Sequence, residues 1–370
     1  MKTAIVGLGK MGISHLAILN AQEKVQMVGV CDNSAFLSDV VGRTTGIPSF
    51  TDANAMLDKT RPDAIFIATP SSTHAELVRL AIGNNINVFC EKPYCIDPIE
   101  GLKLAEQAES KNLINQVGYH CRFIAAFERA KEIIERGSIG SVYHAHAEVY
   151  GPVIVSDEGK SWRSARKEGG GCLNDYASHG LDLLNFFMGA PAGVGGTVLN
   201  QIHSREVEDE VYSNLFYADG RTSTISANWS DRSYRKMYVR VVLWGTNGKV
   251  IADRQEVQIY INDAEKCGEE KLRQGWTILN NTTLKKDVGY YLRGEEYSYQ
   301  VEHFVASFFV RKPSQVSSFR SANITDTVVQ LMTEDASETK VWRSLAPRSE
   351  QKTVASPWLR PFKRTKTPAS

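Results

Sequence analysis

The sequence predicts a two-domain α/β protein, in which a doubly wound parallel sheet is followed by an α+β unit with a large, mostly antiparallel open sheet. Three observations carry that prediction. A glycine-rich turn with GxGxxG spacing follows the first strand pattern. Strand and helix patterns then alternate as far as Tyr119. Beyond that point the alternation stops, and strand-like runs separated by turn signals take over. At 370 residues the chain is too long for one ordinary core. The expected division is residues 1–120, residues 121–343, and a basic tail over 344–370.

The stretch "KTAIVGLGKMGISHLAIL" reads as a short apolar strand, a glycine turn and a helix. Gly7, Gly9 and Gly12 each have a mechanical reason: a tight turn, close approach of backbone to a pyrophosphate, and close helix–strand packing. The helix that opens there points its first amides at the phosphates. Gly7, Leu8, Gly9, Lys10, Met11 and Gly12 are therefore the expected dinucleotide loop. The next strand, "VQMVGVCD", ends on Asp32, about twenty residues after the glycine turn. A carboxylate at that place accepts hydrogen bonds from the adenosine ribose hydroxyls and repels a 2′-phosphate, so NAD is expected rather than NADP.

"PDAIFIATP", "INVFCEKP" and "LINQVGYH" read as further buried strands, with helices "STHAELVRLAIGNN" and "IEGLKLAEQAESKN" between them. Ligands of such sheets sit at the carboxyl ends of the strands. "ATPSSTH" and "EKP" both fall there, which adds Thr69, Pro70, His74, Glu91 and Lys92 to the expected cofactor contacts. Lys92 lies where the nicotinamide end would reach, and Pro93 restricts its backbone. His74 either contacts the cofactor or caps a loop.

In the second unit "AAFERAKEIIERGSIG" is an amphipathic helix with a glycine stop. The strand-like runs are "SVYHAHAEVYG", "VGGTVLNQIH", "EVYSNLFYADG", "RTSTISANWS", "MYVRVVLWGTNG" and "KVIADRQEVQIYIN". "ADG" and "TNG" supply hairpin turns. His144 and His146 share one face of a strand, best read as a partly solvated sheet face. Two helices follow, "EYSYQVEHFVASFFV" and "ITDTVVQLMTEDASETKVW". Between the first two runs lies "GGGCLNDYASHGLDLL", the start of a buried helix expected to end near Gly189. Asp175 and His179 stand on one face of it, a turn apart. Locally that pattern fits a capped helix with a satisfied core histidine as well as it fits a site.

Composition narrows the class. A formal net charge of +1 gives no reason to expect nucleic acid. Nowhere do eighteen apolar residues run together, and "MKTAIVGLG" enters a strand pattern directly, so neither a membrane span nor a secretory signal is expected and cytoplasm is the default. The six cysteines form no CxxC pair and no metal-ligand spacing, so no metal is expected and most read as small core residues. "GKSWRSARKEGGG" places Lys160, Arg163, Arg166 and Lys167 ahead of the Asp175 helix, with Trp162 among them. Arg122 in "GYHCRF" is expected to face the same cleft. Those cations suit an anionic substrate, although Asp157, Glu158 and Glu168 largely balance the loop. In the tail, Trp358, Leu359 and Phe362 sit in a basic, proline-punctuated segment, read as an arm that docks on a neighbouring subunit.

"GLGKMG", Asp32, "ATPSSTH", "EKP", "GYHCRF" and "GGGCLNDYASH" together resemble the glucose–fructose oxidoreductase / inositol dehydrogenase / rhizopine-catabolism (Gfo/Idh/MocA) family of NAD(P)-dependent sugar oxidoreductases. The resemblance covers residues 2 to 343, and Gly170, Gly171, Leu173, Asp175 and His179 match the family's GGxLxDxxxH helix start. It implies a Rossmann domain joined to an α/β domain whose open sheet often forms the interface of a homo-oligomer, a dimer or tetramer. It also implies that Lys92, Asp175 and His179 form the catalytic set, with Pro93 in a cis peptide. His179 is then the base for a secondary hydroxyl, and Lys92 the positive charge beside the developing alkoxide. Asp175 hydrogen-bonds the substrate or orients the imidazole. Asp182 is either a partner behind His179 or an acid in an early helical turn. The resemblance implies NAD-dependent oxidation of a sugar, sugar derivative or inositol, with Lys92, Arg122, Trp162, Arg163, Asp175 and His179 around the substrate. Two other readings stay open: a glycoside hydrolase that oxidises its sugar transiently, and a non-enzymatic dinucleotide sensor.

Overall fold

The structure, a computed structural model, describes residues 1–153, 163, 165–166, 169–269 and 272–338. Six strands make the first sheet: β1 Lys2–Val6, β2 Gln26–Cys31, β3 Ser49–Phe50, β4 Ala64–Ile67, β5 Asn87–Cys90 and β6 Asn115–Val117. They run parallel in the order β3-β2-β1-β4-β5-β6. All four residues of β4 are buried, because helices cover both faces of a parallel sheet. The helices are α1 Lys10–Asn20, α2 Ala35–Thr45, α3 Ala53–Thr60, α4 His74–Gly83 and α5 Pro98–Ser110. Asp52 caps α3 and Asp97 caps α5, which also has Pro98 at its first turn.

After α6 (Ala125–Glu135) comes an eight-stranded sheet: β7 Val142–Tyr150, β8 Gly193–Asn200, β9 Glu210–Phe216, β10 Thr222–Asn228, β11 Tyr238–Gly245, β12 Gly248–Asp253, β13 Glu256–Ile261 and β14 Gly275–Asn280. Its order is β14-β13-β12-β11-β7-β10-β9-β8, and the β7–β10 pair alone is parallel. The run "KVIADRQEVQIYIN" is two strands, not one. Asp253 Oδ1 accepts from the amides of Gln255 at 2.7 Å and Glu256 at 3.1 Å, which closes a turn between β12 and β13. Residues alternate along these strands, and the inner set (Val211, Leu215, Val241, Leu243, Val257 and Ile259) packs on α6 and on α7, Ser178–Met188. α7 ends at Gly189 with φ +82°, as the sequence predicts. All six cysteines are buried free thiols. Among the described residues no helix is long and apolar enough to cross a membrane.

The last two helices, α8 Glu295–Val310 and α9 Phe319–Ser337, turn back to the first sheet. Phe304 meets Phe66 with ring centroids 5.2 Å apart, and Phe319 stacks on Tyr94 at 4.4 Å. Val301 and Val305 join the same apolar cluster as Ile5 and Phe89. Periodicity predicts that these helices are amphipathic, but it does not say which sheet they cover. A division at residue 120 is therefore one of sequence, while in space residues 295–322 complete the packing of the first sheet and the rest of α9, through Val328 and Met332, packs in the core of the second.

Arg122 departs from its expected place. It follows β6 in a short 3₁₀ turn, His120–Phe123, and points into the interior. Its Nε and Nη2 each donate to the Asp182 carboxylate at 2.7 Å, and Nη1 donates to Val316 O. The two side chains are 3% and 0% exposed, so Arg122 is no substrate contact, and Asp182 is its partner rather than a partner of His179. A two-pronged buried pair of this kind fixes α7 against β6. The docking arm over 344–370, Trp162, Lys160 and Lys167 lie outside the described residues.

Arg122→Ala leaves the Asp182 carboxylate buried without its counter-charge and is expected to cost about 3–5 kcal/mol of stability. Urea unfolding measures it. A loss below about 1 kcal/mol, with a changed preference for charged substrates, would return Arg122 to the cleft.

Candidate active site

A cleft of about 1840 Å³ opens between the carboxyl ends of the first sheet and the α7 side of the second. Gly7, at φ +95°, begins it. A Cβ on Gly7 would stand 2.5 Å from Ala68 O, so glycine lets the ends of β1 and β4 meet. A Cβ on Gly12 would stand 1.8 Å from Gly7 O, so this glycine seats α1 under the loop. Gly9 faces open space and lines the cleft together with Lys10 and Met11. The first turn of α1 has neither a side-chain cap nor an acidic residue, which leaves its positive end toward the cleft. Asp32 Oδ2 accepts from Leu8 N at 2.7 Å and Oδ1 from Ser34 N at 2.9 Å, so the carboxylate at the end of β2 steadies the glycine loop. Leu8 turns its side chain into the core of the first sheet and holds Asp32 through its amide. These residues fit a dinucleotide: an open helix end for the pyrophosphate, and an acid beside it.

Thr69, Pro70, Glu91 and Lys92 also line the cleft. His74 does not. It is buried, with Nδ1 2.7 Å from Pro93 O and Nε2 3.0 Å from Thr69 O, and it ties the loop after β4 to the loop after β5. Of its two expected roles, holding a loop is the one its geometry allows. Glu91 Oε1 lies 2.6 Å from His15 Nε2. Burial pushes the Glu91 carboxyl up, but His15, together with His120 and Lys92, outweighs burial and holds it below its usual range. The Lys92–Pro93 peptide is cis.

The other wall is built on the glycine run. Gly171 has φ +111°, and a Cβ there would stand 2.2 Å from Glu208 Oε1. That same Oε1 accepts from Leu173 N at 3.0 Å, so the glycine lets Glu208 cap the turn. The next turn, Leu173–Ala177, is a π-helical turn that runs into α7. It carries Asp175, and α7 carries His179. Lys92 Nζ donates to Asp175 Oδ1 at 2.8 Å and to Asp175 O at 2.9 Å, while Arg163 Nε donates to Oδ2 at 2.9 Å. Burial raises the Asp175 carboxyl, and Lys92 and Arg163 together outweigh burial and hold it below its usual range. Asp175 thus grips two cations rather than the imidazole.

His179 lies deeper, with Nδ1 3.9 Å from Cys121 Sγ and its ring 4.9 Å from that of His120. Burial lowers its pKa well below that of an ordinary histidine, and the charge of Lys92 pushes the same way. His120 stacks on Tyr297 at 4.5 Å, and its pKa falls to about 3, mainly through burial. The donor atoms of His120, Cys121 and His179 lie within 4.8 Å of one another, a convergence that spacing along the chain does not reveal. His120 was legible in principle, since it follows the carboxyl end of β6. Tyr297, Arg254, Arg293 and Lys236 line the cleft from parts of the chain that carry no motif.

Comparison with known proteins agrees with this geometry. The family model described as "Oxidoreductase family, NAD-binding Rossmann fold" matches residues 1–119, and the GFO/IDH/MocA C-terminal domain model matches residues 127–251. The protein is thus an NAD-binding oxidoreductase by class. It belongs to the GFO/IDH/MocA family. It is 28% identical over 294 residues to 2,7-anhydro-N-acetylneuraminate hydratase from Mediterraneibacter gnavus, covering 74% of this chain and 76% of that protein. With scyllo-inositol 2-dehydrogenase (NAD(+)) from Bacillus subtilis it shares 29% identity over 257 residues, covering 68% and 73%. A levoglucosan dehydrogenase solved with NADH superposes with a TM-score of 0.79 at 20% identity, covering 91% of this chain and 96% of that one, which shows a shared fold.

Proposed function

We propose that the protein oxidises a secondary hydroxyl of a sugar, sugar derivative or inositol, with Lys92, Asp175 and His179 as the catalytic set. The observation that carries this reading is the Lys92–Asp175 bond beside a neutral His179 in the cleft that begins at the glycine loop. The glycine loop and Asp32 would hold NAD, which would supply the hydride acceptor. His179 takes the hydroxyl proton on Nε2, with its own proton on Nδ1 toward Cys121 Sγ. Two of the three Lys92 N–H donors are held by Asp175, which leaves the third for the substrate oxygen as negative charge develops there. Asp175 and Arg163 fix the direction of that ammonium. Asp32 favours NAD over NADP, since a 2′-phosphate would meet its carboxylate. The relatives named above as a hydratase and an inositol dehydrogenase support a sugar-type substrate.

The hydratase relatives, in Mediterraneibacter gnavus and Escherichia coli, favour a second reading. In it the same residues would take the hydroxyl proton while bound NAD would hold the hydride transiently, the acidified neighbouring C–H would permit elimination, and the same hydride would return to the sugar. Net NADH formation marks the first reading. Release of the eliminated group without net NADH marks the second.

A homo-oligomer also fits the fold. The face of the second sheet away from α6 and α7 exposes Tyr212 and Phe216 on β9 and, near its other edge, Trp276 and Ile278 on β14, two apolar groups suited to contacts with a second copy.

His179→Ala and Lys92→Ala are each expected to lower kcat by about 10²–10⁴, with NAD affinity largely kept in His179→Ala. Steady-state kinetics over a sugar and inositol panel, with calorimetry for NAD, measure both. Near wild-type turnover in His179→Ala would remove it as the base.

The pH profile gives a separate check. Only the neutral imidazole accepts a proton, and burial holds the His179 pKa well below its ordinary value. The His179-controlled acid limb of kcat/KM should therefore lie below about pH 6.5, the unperturbed histidine value, with a plateau above it. A limb at or above that pH, lost in His179→Ala, would contradict the assigned environment.

A further inference from the structure

The cleft has a cationic wall that the chemistry above does not use. From His179 a series of rings leads outward: His120 at 4.9 Å, then Tyr297 stacked on His120 at 4.5 Å. The Arg293 guanidinium carbon lies 5.3 Å from the centroid of the Tyr297 ring. Lys236 and Arg254 line the same cleft. Among the described residues, the cations of this wall outnumber the carboxylates bonded to them. Lys92 and Arg163 share the single carboxylate of Asp175, and Arg254 is bonded to Glu296. Glu91 is held by His15. Arg293 and Lys236 form no ion pair among the described residues. The excess is felt at the floor of the cleft, where Arg254 and Arg293 add to burial in keeping His120 neutral.

The backbone that holds Arg293 is itself unusual. Arg293 has φ +66° and Gly294 φ +144°. A Cβ on Gly294 would stand 2.4 Å from Glu296 Oε2 and 2.6 Å from Arg254 Nη2. Glycine there lets the Arg254–Glu296 pair lie against the chain, and the turn carries Arg293 over Tyr297. A long cationic residue in the left-handed region, beside a ligand-sized cleft, marks a place where conformational cost is met by a local purpose.

We propose that Arg293 and Lys236 take an oxyanion on the substrate, a carboxylate or a phosphate ester, at the end of the sugar remote from the carbon beside His179. This rests on the sugar oxidoreductase reading and deepens it. It replaces the grip expected of Arg122, which is committed to Asp182, and stands beside Arg163, which lines the same cleft with its Nε on Asp175. A guanidinium offers two parallel donors to such a group, and the ammonium adds a point charge that adapts to its shape.

The test is calorimetry on the NAD-loaded protein with matched ligands: hexuronates and aldonates for the carboxylate, hexose phosphates for the phosphate ester, each beside its uncharged parent sugar. At least one charged ligand is expected to bind tenfold or more tighter than its parent. Arg293→Gln and Lys236→Gln should each remove most of that preference while leaving NAD affinity within about twofold of wild type. Charged ligands that bind no tighter than their parents, a preference that survives both substitutions, or a loss of NAD affinity in the variants would each overturn the proposal. Failure of the parent reading looks different: neither NADH nor an eliminated product would form from any ligand, whatever its binding preference.

Discussion

The Lys92–Asp175 bond is the contact on which the site depends, because one end comes from the first sheet and the other from the helix packed on the second. Lys92 leaves the carboxyl end of β5, and Asp175 sits on the π-helical turn that leads into α7. With side chains 13% and 7% exposed, neither charge is well placed to be satisfied by water instead. Each end is held from behind. Pro93 and the Glu91–His15 pair limit where Lys92 points, while Gly171 and Glu208 set the turn that carries Asp175. Polar groups held in this way keep their geometry before a substrate arrives, which is what electrostatic stabilisation of a developing charge requires.

Packing elsewhere serves the same end. The buried Arg122–Asp182 pair fastens α7 to the segment after β6, three residues beyond His179 on the helix. The helices α8 and α9 bring late sequence back over the first sheet, and the turn before α8 delivers Arg293 to the cleft while the start of α8 delivers Tyr297. Coupling between the halves is thus both apolar, through Phe304 and Phe319, and ionic, through Lys92 and Arg122.

Much of this is legible in the sequence because local rules govern it. Glycines at 7, 9 and 12, an acid ending β2 and EKP at the end of β5 specify the cofactor half with few alternatives. The strand alternation specifies the second sheet, apart from the Asp253 turn and β14. What escapes is long-range. Arg122 lies in the right segment for a cleft residue, but its rotation into the interior depends on Asp182, sixty positions away. His74 has the composition of a ligand contact, but two backbone carbonyls claim its nitrogens. The partners of Asp175 turn out to be cations rather than His179, since a π-helical turn rotates the carboxylate relative to a regular helix. Arg293 and Lys236 belong to no motif, and only the folded chain sets them in the cleft.

A double-mutant cycle on Lys92→Met and Asp175→Asn, read by urea unfolding, tests the central claim that this bond joins the halves. The account predicts a coupling energy of about 1 kcal/mol or more between the two substitutions. Additive effects, with coupling near zero, would contradict it.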